Sequence, residues 1–174
     1  HPPWDVRSDE LKDLPPAGYA GNLDPKHAGE LLARARRNGA SRLFGDADRE
    51  RALALHNRSV LAHDAALGRL IAHVKTVGRE ADTAWIVTGD VGISAAARAP
   101  FLEDDTLDES ALTVPLVLRG LGKAAHARVS SPTASVDLAR TALEAIGLVP
   151  PPQLRGESLW SIAERGTPGP ERPR

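Results

Sequence analysis

The stretch Trp85-Ile86-Val87-Thr88-Gly89-Asp90-Val91-Gly92 restricts the architecture more than any other part of the chain. An apolar, β-branched run ends in an acid set between two glycines. Such a run reads as a strand over Thr83–Thr88, and the glycines mark a turn at its carboxyl end. Open α/β sheets bind ligands outside the carboxyl ends of their strands, which makes Asp90 a candidate metal ligand. Val91, the next residue, has no donor atom. A local role competes with the ligand role, because an Asp after a strand also caps its own turn.

The flanking segments supply helices and a second strand. From Asp46 to Val77, the residues Leu53, Val60, Leu67, Leu70, Ile71 and Val74 recur at helical spacing and form one apolar stripe. Asp46 or Asp48 caps the start of this helix, and Gly78 ends it. His56 and His63 share a face of it but are seven apart, whereas a metal-binding pair on one turn is four apart. They read as surface or boundary residues. A short helix is expected over residues 27–38, closed by Gly39, with Arg34, Arg36 and Arg37 on a solvated face. Residues 94–108 read as an irregular loop carrying the acids Glu103, Asp104, Asp105 and Asp108.

Val114–Gly120 reads as a second strand, with Pro115 near its beginning, where a missing N–H is tolerated. Val129 is expected to start a short edge strand. Ser135–Ile146 reads as an amphipathic helix stopped by Gly147, and Leu154–Glu164 as a terminal packing segment. Helix, strand, loop, strand, helix is an α/β arrangement. So few strands leave open sheet edges, so further strands are expected from sequence outside this chain. Residues 1–165 are expected to form part of one domain and residues 166–174 a disordered Pro/Gly-rich tail.

Composition removes several function classes. The chain has 174 residues, 22 basic and 23 acidic, for a net charge of −1. This balance gives no electrostatic footprint for nucleic acid or an anionic membrane. No apolar run approaches the roughly 18–20 residues of a membrane helix, and no signal peptide is legible at the start. Cysteine is absent, so this chain holds no thiolate site or cysteine nucleophile. Methionine is absent too, and with an opening of His-Pro-Pro-Trp the chain reads as a piece of a longer protein. Only 3% of residues are aromatic, so Trp4, Trp85 and Trp160 are expected to be packing anchors.

The order of motifs resembles the C-terminal part of the sulfatase catalytic domain, in the alkaline-phosphatase-like superfamily. His1-Pro2-Pro3-Trp4 is similar to a His-x-Pro segment, and Tyr19-Ala20-Gly21-Asn22-Leu23-Asp24 to a Tyr-x-Gly-x-Leu-Asp continuation. The run His63–Leu70 resembles an Asp-x-x-Leu-Gly-x-Leu helix, and Thr83–Gly92 a strand ending Thr-Ser-Asp-His-Gly. Leu107–Gly120 resembles a Leu-Tyr-Glu-Glu to Val-Pro-Leu stretch. Ser135–Thr141 followed by Leu154–Leu159 is similar to Ser-x-Val-Asp-Leu-x-Pro-Thr followed by Gly-x-Ser-Leu.

The resemblance implies an α/β fold: a partial sulfatase-type sheet flanked by helices, incomplete without an N-terminal part of the same domain. It implies hydrolysis of sulfate or related phosphate esters by a formylglycine nucleophile, with one calcium or magnesium ion holding the ester oxygens. By position Asp90 matches an acid that binds this ion, and Val91 stands where the family places His or Asn. His1 matches a histidine that contacts the sulfate or its leaving group. The nucleophile motif Cys/Ser-x-Pro-x-Arg and the N-terminal carboxylate pair do not occur in this sequence.

Other departures are Leu107 for Tyr, Arg140 for Pro, and the acidic Glu103–Asp105 near a position where the family carries a cation. Asp64 and Asp137 match recurring family positions but read as helix-local or cap residues. The resemblance also implies a bacterial parent that is exported or membrane-associated. Two functions follow as expectations. One is a sulfatase-like hydrolase, inactive as this chain alone. The other is a catalytically degenerate sulfatase fold kept as a binding or structural module, motivated by Val91 and the acidic cluster.

Overall fold

The structure, a computed structural model, describes residues 13–21, 23, 44–92, 109–120 and 128–165. The expected helix over 27–38, the 94–108 loop, His1, Trp4 and the 166–174 tail lie outside the described residues. The elements are α1 (Asp46–Thr76), a 3-10 turn (Glu80–Asp82), β1 (Trp85–Thr88), α2 (Glu109–Leu112), β2 (Leu116–Arg119), α3 (Val136–Ala145) and α4 (Leu159–Arg165). They fall into two compact units, His1–His73 with Thr88–Pro115, and Val74–Val87 with Leu116–Arg174.

In the first unit, α1 starts where the sequence places a capping acid. The Asp48 carboxylate accepts the Gly45 N–H at 2.8 Å, and the Arg49 N–H donates to the Gly45 carbonyl at 3.1 Å. The opening turns of α1 bury Asp48, Arg51, Ala52 and Leu55. Leu14, Leu23 and Phe44 are buried as well. Arg51 donates to the Leu14 carbonyl at 2.6 Å, and its guanidinium lies 5.3 Å from the centre of the Tyr19 ring. Buried charge is tolerated here because it is hydrogen-bonded and stacked on an aromatic face.

In the second unit, the end of α1 is set by Gly78 in a left-handed conformation, φ 70°. The Gly78 N–H donates to Lys75 O and the Arg79 N–H to Val74 O, each at 3.0 Å, the paired bonds of a Schellman motif. β1 begins two residues later than the sequence suggests. Thr83 still closes the 3-10 turn, its hydroxyl donating to Arg79 O at 2.7 Å.

β1 and β2 form a two-stranded sheet. The strands run antiparallel: the Gly89 N–H meets Pro115 O at 3.4 Å, and at the other end Gly120 lies against the backbone of Thr83 and Ala84. Pro115 precedes β2 because it has no N–H for a ladder. The edge strand expected at Val129 does not form; residues 128–130 carry no strand, and Pro132, which follows shortly, cannot donate to a ladder.

α3 ends as expected, with Gly147 at φ 78° and Leu148 N–H donating to Leu143 O at 3.0 Å. It packs against α4. Asp137 and Thr141 of α3 are fully buried, as are Leu159, Trp160 and Ile162 of α4 to within a few per cent. The terminal packing segment expected from sequence is therefore a helix whose Trp160 anchors it, its indole N–H donating to Thr141 O at 3.2 Å.

Candidate active-site turn

β1 delivers its acid into a turn fixed on both sides. The Gly89 N–H donates to Pro115 O at 3.4 Å and the Gly92 N–H to Ala111 O at 2.9 Å. The glycines are there for close approach: a Cβ on Gly92 would lie 2.7 Å from Ala111 O, and one on Gly89 would lie 3.4 Å from the Val114 side chain. Between these tethers Asp90 is exposed. Its Oδ1 accepts the Val91 N–H at 2.9 Å, so the turn cap weighed in the sequence is present. Among the described residues the other carboxylate oxygen has no partner. Val91, 47% exposed, presents only hydrocarbon beside it.

This donor set does not by itself fit a calcium or magnesium ion. Such ions take six or more oxygen donors. Among the described residues no group of three or more His, Cys, Asp or Glu side chains is arranged to hold a metal. Asp90 is not joined by His56, His63 or His73. His63 is exposed and uses Nδ1 on Ser59 O at 2.8 Å, one turn back along α1. His56 is half-buried, and burial pushes its pKa below the usual histidine value. Asp64 is exposed on α1.

Two polar networks explain motif residues that the sequence offered only as a pattern. In the first, the Tyr19 hydroxyl donates to Asp48 Oδ1 and accepts the Leu23 N–H at 2.6 Å. Burial, and then the hydrogen bond to Asp48, pushes the Tyr19 pKa up to about 12. Gly21 sits against both groups, and any side chain there would fall on the Tyr19 hydroxyl and the Asp48 carboxylate. The Tyr-x-Gly-x-Leu spacing is thus a fold determinant of the segment before α1.

In the second network, Asp137 Oδ2 accepts the Ala134 N–H at 2.9 Å and Oδ1 accepts the Glu157 N–H at 2.8 Å. Thr141 Oγ1 donates to Asp137 O at 2.6 Å and accepts the Leu159 N–H at 2.9 Å. Arg140, in the place of a family Pro, donates to Leu154 O at 2.7 Å. Asp137 is a cap, as expected, and also a tie across twenty residues. In the sequence both acids read only as helix-local capping residues, and Asp137 lies on the side of α3 opposite Leu138, Ala142, Leu143 and Ile146.

The sulfatase family profile matches residues 15–148, well over half of the chain, and the chain belongs to the sulfatase family. Among solved structures it is similar to the phosphonate monoester hydrolase SpPMH from Silicibacter pomeroyi, at 27% identity and TM-score 0.69, over 82% of this chain and 30% of that one. It also shares its fold with BT4656, a structure in complex with its substrate D-glucosamine-2-N,6-O-disulfate, at 23% identity and TM-score 0.58, over 85% of this chain and 30% of that one. No match was found among curated proteins. The chain thus spans less than a third of the length of the structures it matches, and the α/β resemblance to a part of the sulfatase fold is borne out.

Proposed function

We propose that this chain, over residues 1–165, is the C-terminal part of a sulfatase-family hydrolase domain that cleaves sulfate esters or related phosphate and phosphonate esters. The observation that carries this reading is the doubly tethered Gly89–Gly92 turn, which holds the Asp90 carboxylate exposed at the carboxyl end of β1. The 27% identity to a phosphonate monoester hydrolase supports the ester class. In this reading Asp90 gives one oxygen to a calcium or magnesium ion in the intact protein. The remaining ligands and the nucleophile come from sequence N-terminal to this chain, and His1 contacts the ester. The 174 residues alone are inactive because those groups are elsewhere.

A second reading, a degenerate sulfatase fold retained for binding or structure, is favoured by one feature. The Asp90 carboxylate turns to its own successor's N–H, and that successor, Val91, carries no donor. Two measurements on the protein made from its complete gene decide between them. Turnover of an aryl sulfate, a phosphate diester or a phosphonate monoester, with stoichiometric calcium or magnesium binding by calorimetry, supports the hydrolase. Neither turnover nor binding supports the module.

A further inference from the structure

The turn that carries Asp90 has a gap beside its carboxylate. Of residues 88–92, only Thr88 and Asp90 bear side-chain oxygens, and the Thr88 hydroxyl donates to Gly89 O at 3.2 Å. Asp90 Oδ1 accepts the Val91 N–H at 2.9 Å. The Cβ of residue 91 is two bonds from that nitrogen, so it lies no more than about 5.5 Å from the oxygen. Calcium sits about 2.3–2.6 Å from its oxygen ligands. An ion on Asp90 is therefore within the span of an amide or carboxylate oxygen at position 91. Valine offers none, and at 47% exposure the position has room for a polar group. The bonds from Gly89 N–H to Pro115 O and from Gly92 N–H to Ala111 O hold the backbone on both sides and oppose a rearrangement that would bring in another donor.

We infer that Val91 sets a weak, exchangeable hold on the cation, so that occupancy of the site follows the surrounding ion concentration. Affinity in oxygen-ligated sites is tuned by the charge count of the ligands and the rigidity of the site. A tethered turn with one carboxylate and hydrocarbon next to it leaves the ion a ligand short. Calcium then loads at about 10⁻⁴–10⁻³ M, the weak end of protein calcium sites, and leaves below it. The inference rests on the proposal that Asp90 gives an oxygen to a cation in the intact protein, but not on that protein turning over an ester.

The test is calorimetric titration of the protein from its complete gene with calcium chloride alone, after treatment with a chelator. Magnesium chloride is titrated in the same way. Wild type is set against Val91→Asn, which adds a carbonyl oxygen, Val91→Ala, which removes hydrocarbon without adding a donor, and Asp90→Ala. Thermal unfolding in excess chelator checks that each is folded, and Val91→Asp takes the place of Val91→Asn if that variant is not.

The expected result is half-saturation of the wild type at about 10⁻⁴–10⁻³ M calcium. Val91→Asn binds at least about tenfold tighter, Val91→Ala binds like the wild type, and Asp90→Ala does not bind. A wild-type Kd of about 10⁻⁵ M or tighter overturns the inference, as does a Val91→Asn no tighter than the wild type. Val91→Ala tightening as much as Val91→Asn overturns it too, by making bulk rather than a missing oxygen the cause. So does a wild type that binds no ion in the millimolar range. Turnover of an aryl sulfate or a phosphonate monoester, read separately at saturating calcium, keeps the two readings apart. The expected affinities without turnover leave the role of Val91 standing and remove only the hydrolase reading, whereas turnover with tight wild-type binding does the reverse.

Discussion

The Tyr19 hydroxyl donates to Asp48 Oδ1 across 29 positions of sequence. The same carboxylate accepts the Gly45 N–H with its other oxygen, so one acid both starts α1 and ties the preceding segment to it. Tyr19→Phe removes the shared hydroxyl, taking away the bond to Asp48 and the acceptor of the Leu23 N–H. A buried backbone N–H such as that of Leu23, left without its acceptor, costs about 1–3 kcal/mol. Urea unfolding should show a lower midpoint with an unchanged slope.

Tyr19 also sets an alkaline limit. Its folded pKa, raised from 10.0 to about 12 by burial and the bond to Asp48, lies above the unfolded value. The unfolded chain therefore releases the phenolic proton first as pH rises. The stabilisation is complete below pH 10.0 and is lost as pH climbs toward about 12. Tyr19 is the one tyrosine in the chain, so phenolate absorbance reports it alone. The titration midpoint should lie near the raised value, and Tyr19→Phe should flatten this part of the stability profile.

Strand β1 and the Asp90 turn are legible in the sequence because both rest on local chemistry: β-branched residues in a run, then glycines where backbones approach. The stops of α1 and α3 at Gly78 and Gly147 are legible for the same reason. Asp48 and Asp137 are only half legible. Their capping bonds lie within three residues, but their ties to Tyr19 and Glu157 join segments that no local pattern connects. The stripe on α1 shows the opposite limit, since periodicity reveals an apolar face but not what lies on it. Val129 fails as a strand because β-propensity without a neighbouring ladder forms none.

Thr141 joins α3 to α4 through its hydroxyl. Thr141→Val keeps the shape but orphans the buried Leu159 N–H, at a cost of about 1–3 kcal/mol. Thr141→Ser retains the hydroxyl and should recover most of that loss. A larger loss for Ser than for Val in chemical denaturation would remove the hydrogen bond from the account.

Gly156 makes the close approach that lets Glu157 reach Asp137. Its φ is 95°, and a Cβ would lie 2.5 Å from Val136 O and 3.0 Å from Asp137 Cα. Gly156→Ala combines an unfavourable backbone conformation, about 1–3 kcal/mol, with displacement of the 154–160 segment. Hydrogen exchange should quicken at the Glu157 and Leu159 amides specifically.

Asp90 is where family and chemistry meet. The most direct measurement is hydrolysis of an aryl sulfate and a phosphonate monoester by the protein from its complete gene, wild type against Asp90→Ala. Asp90 is exposed and bonds only to the Val91 N–H among the described residues, so in excess chelator the thermal unfolding midpoint should not move, while with the ion present it should fall as the ion's stabilisation is lost. Loss of an outer partner of a metal ligand already costs about 10–100-fold, so loss of the ligand itself should lower turnover by at least about 100-fold. An active wild type with that loss is the predicted result. No turnover by the wild type, or full turnover by Asp90→Ala, contradicts the account.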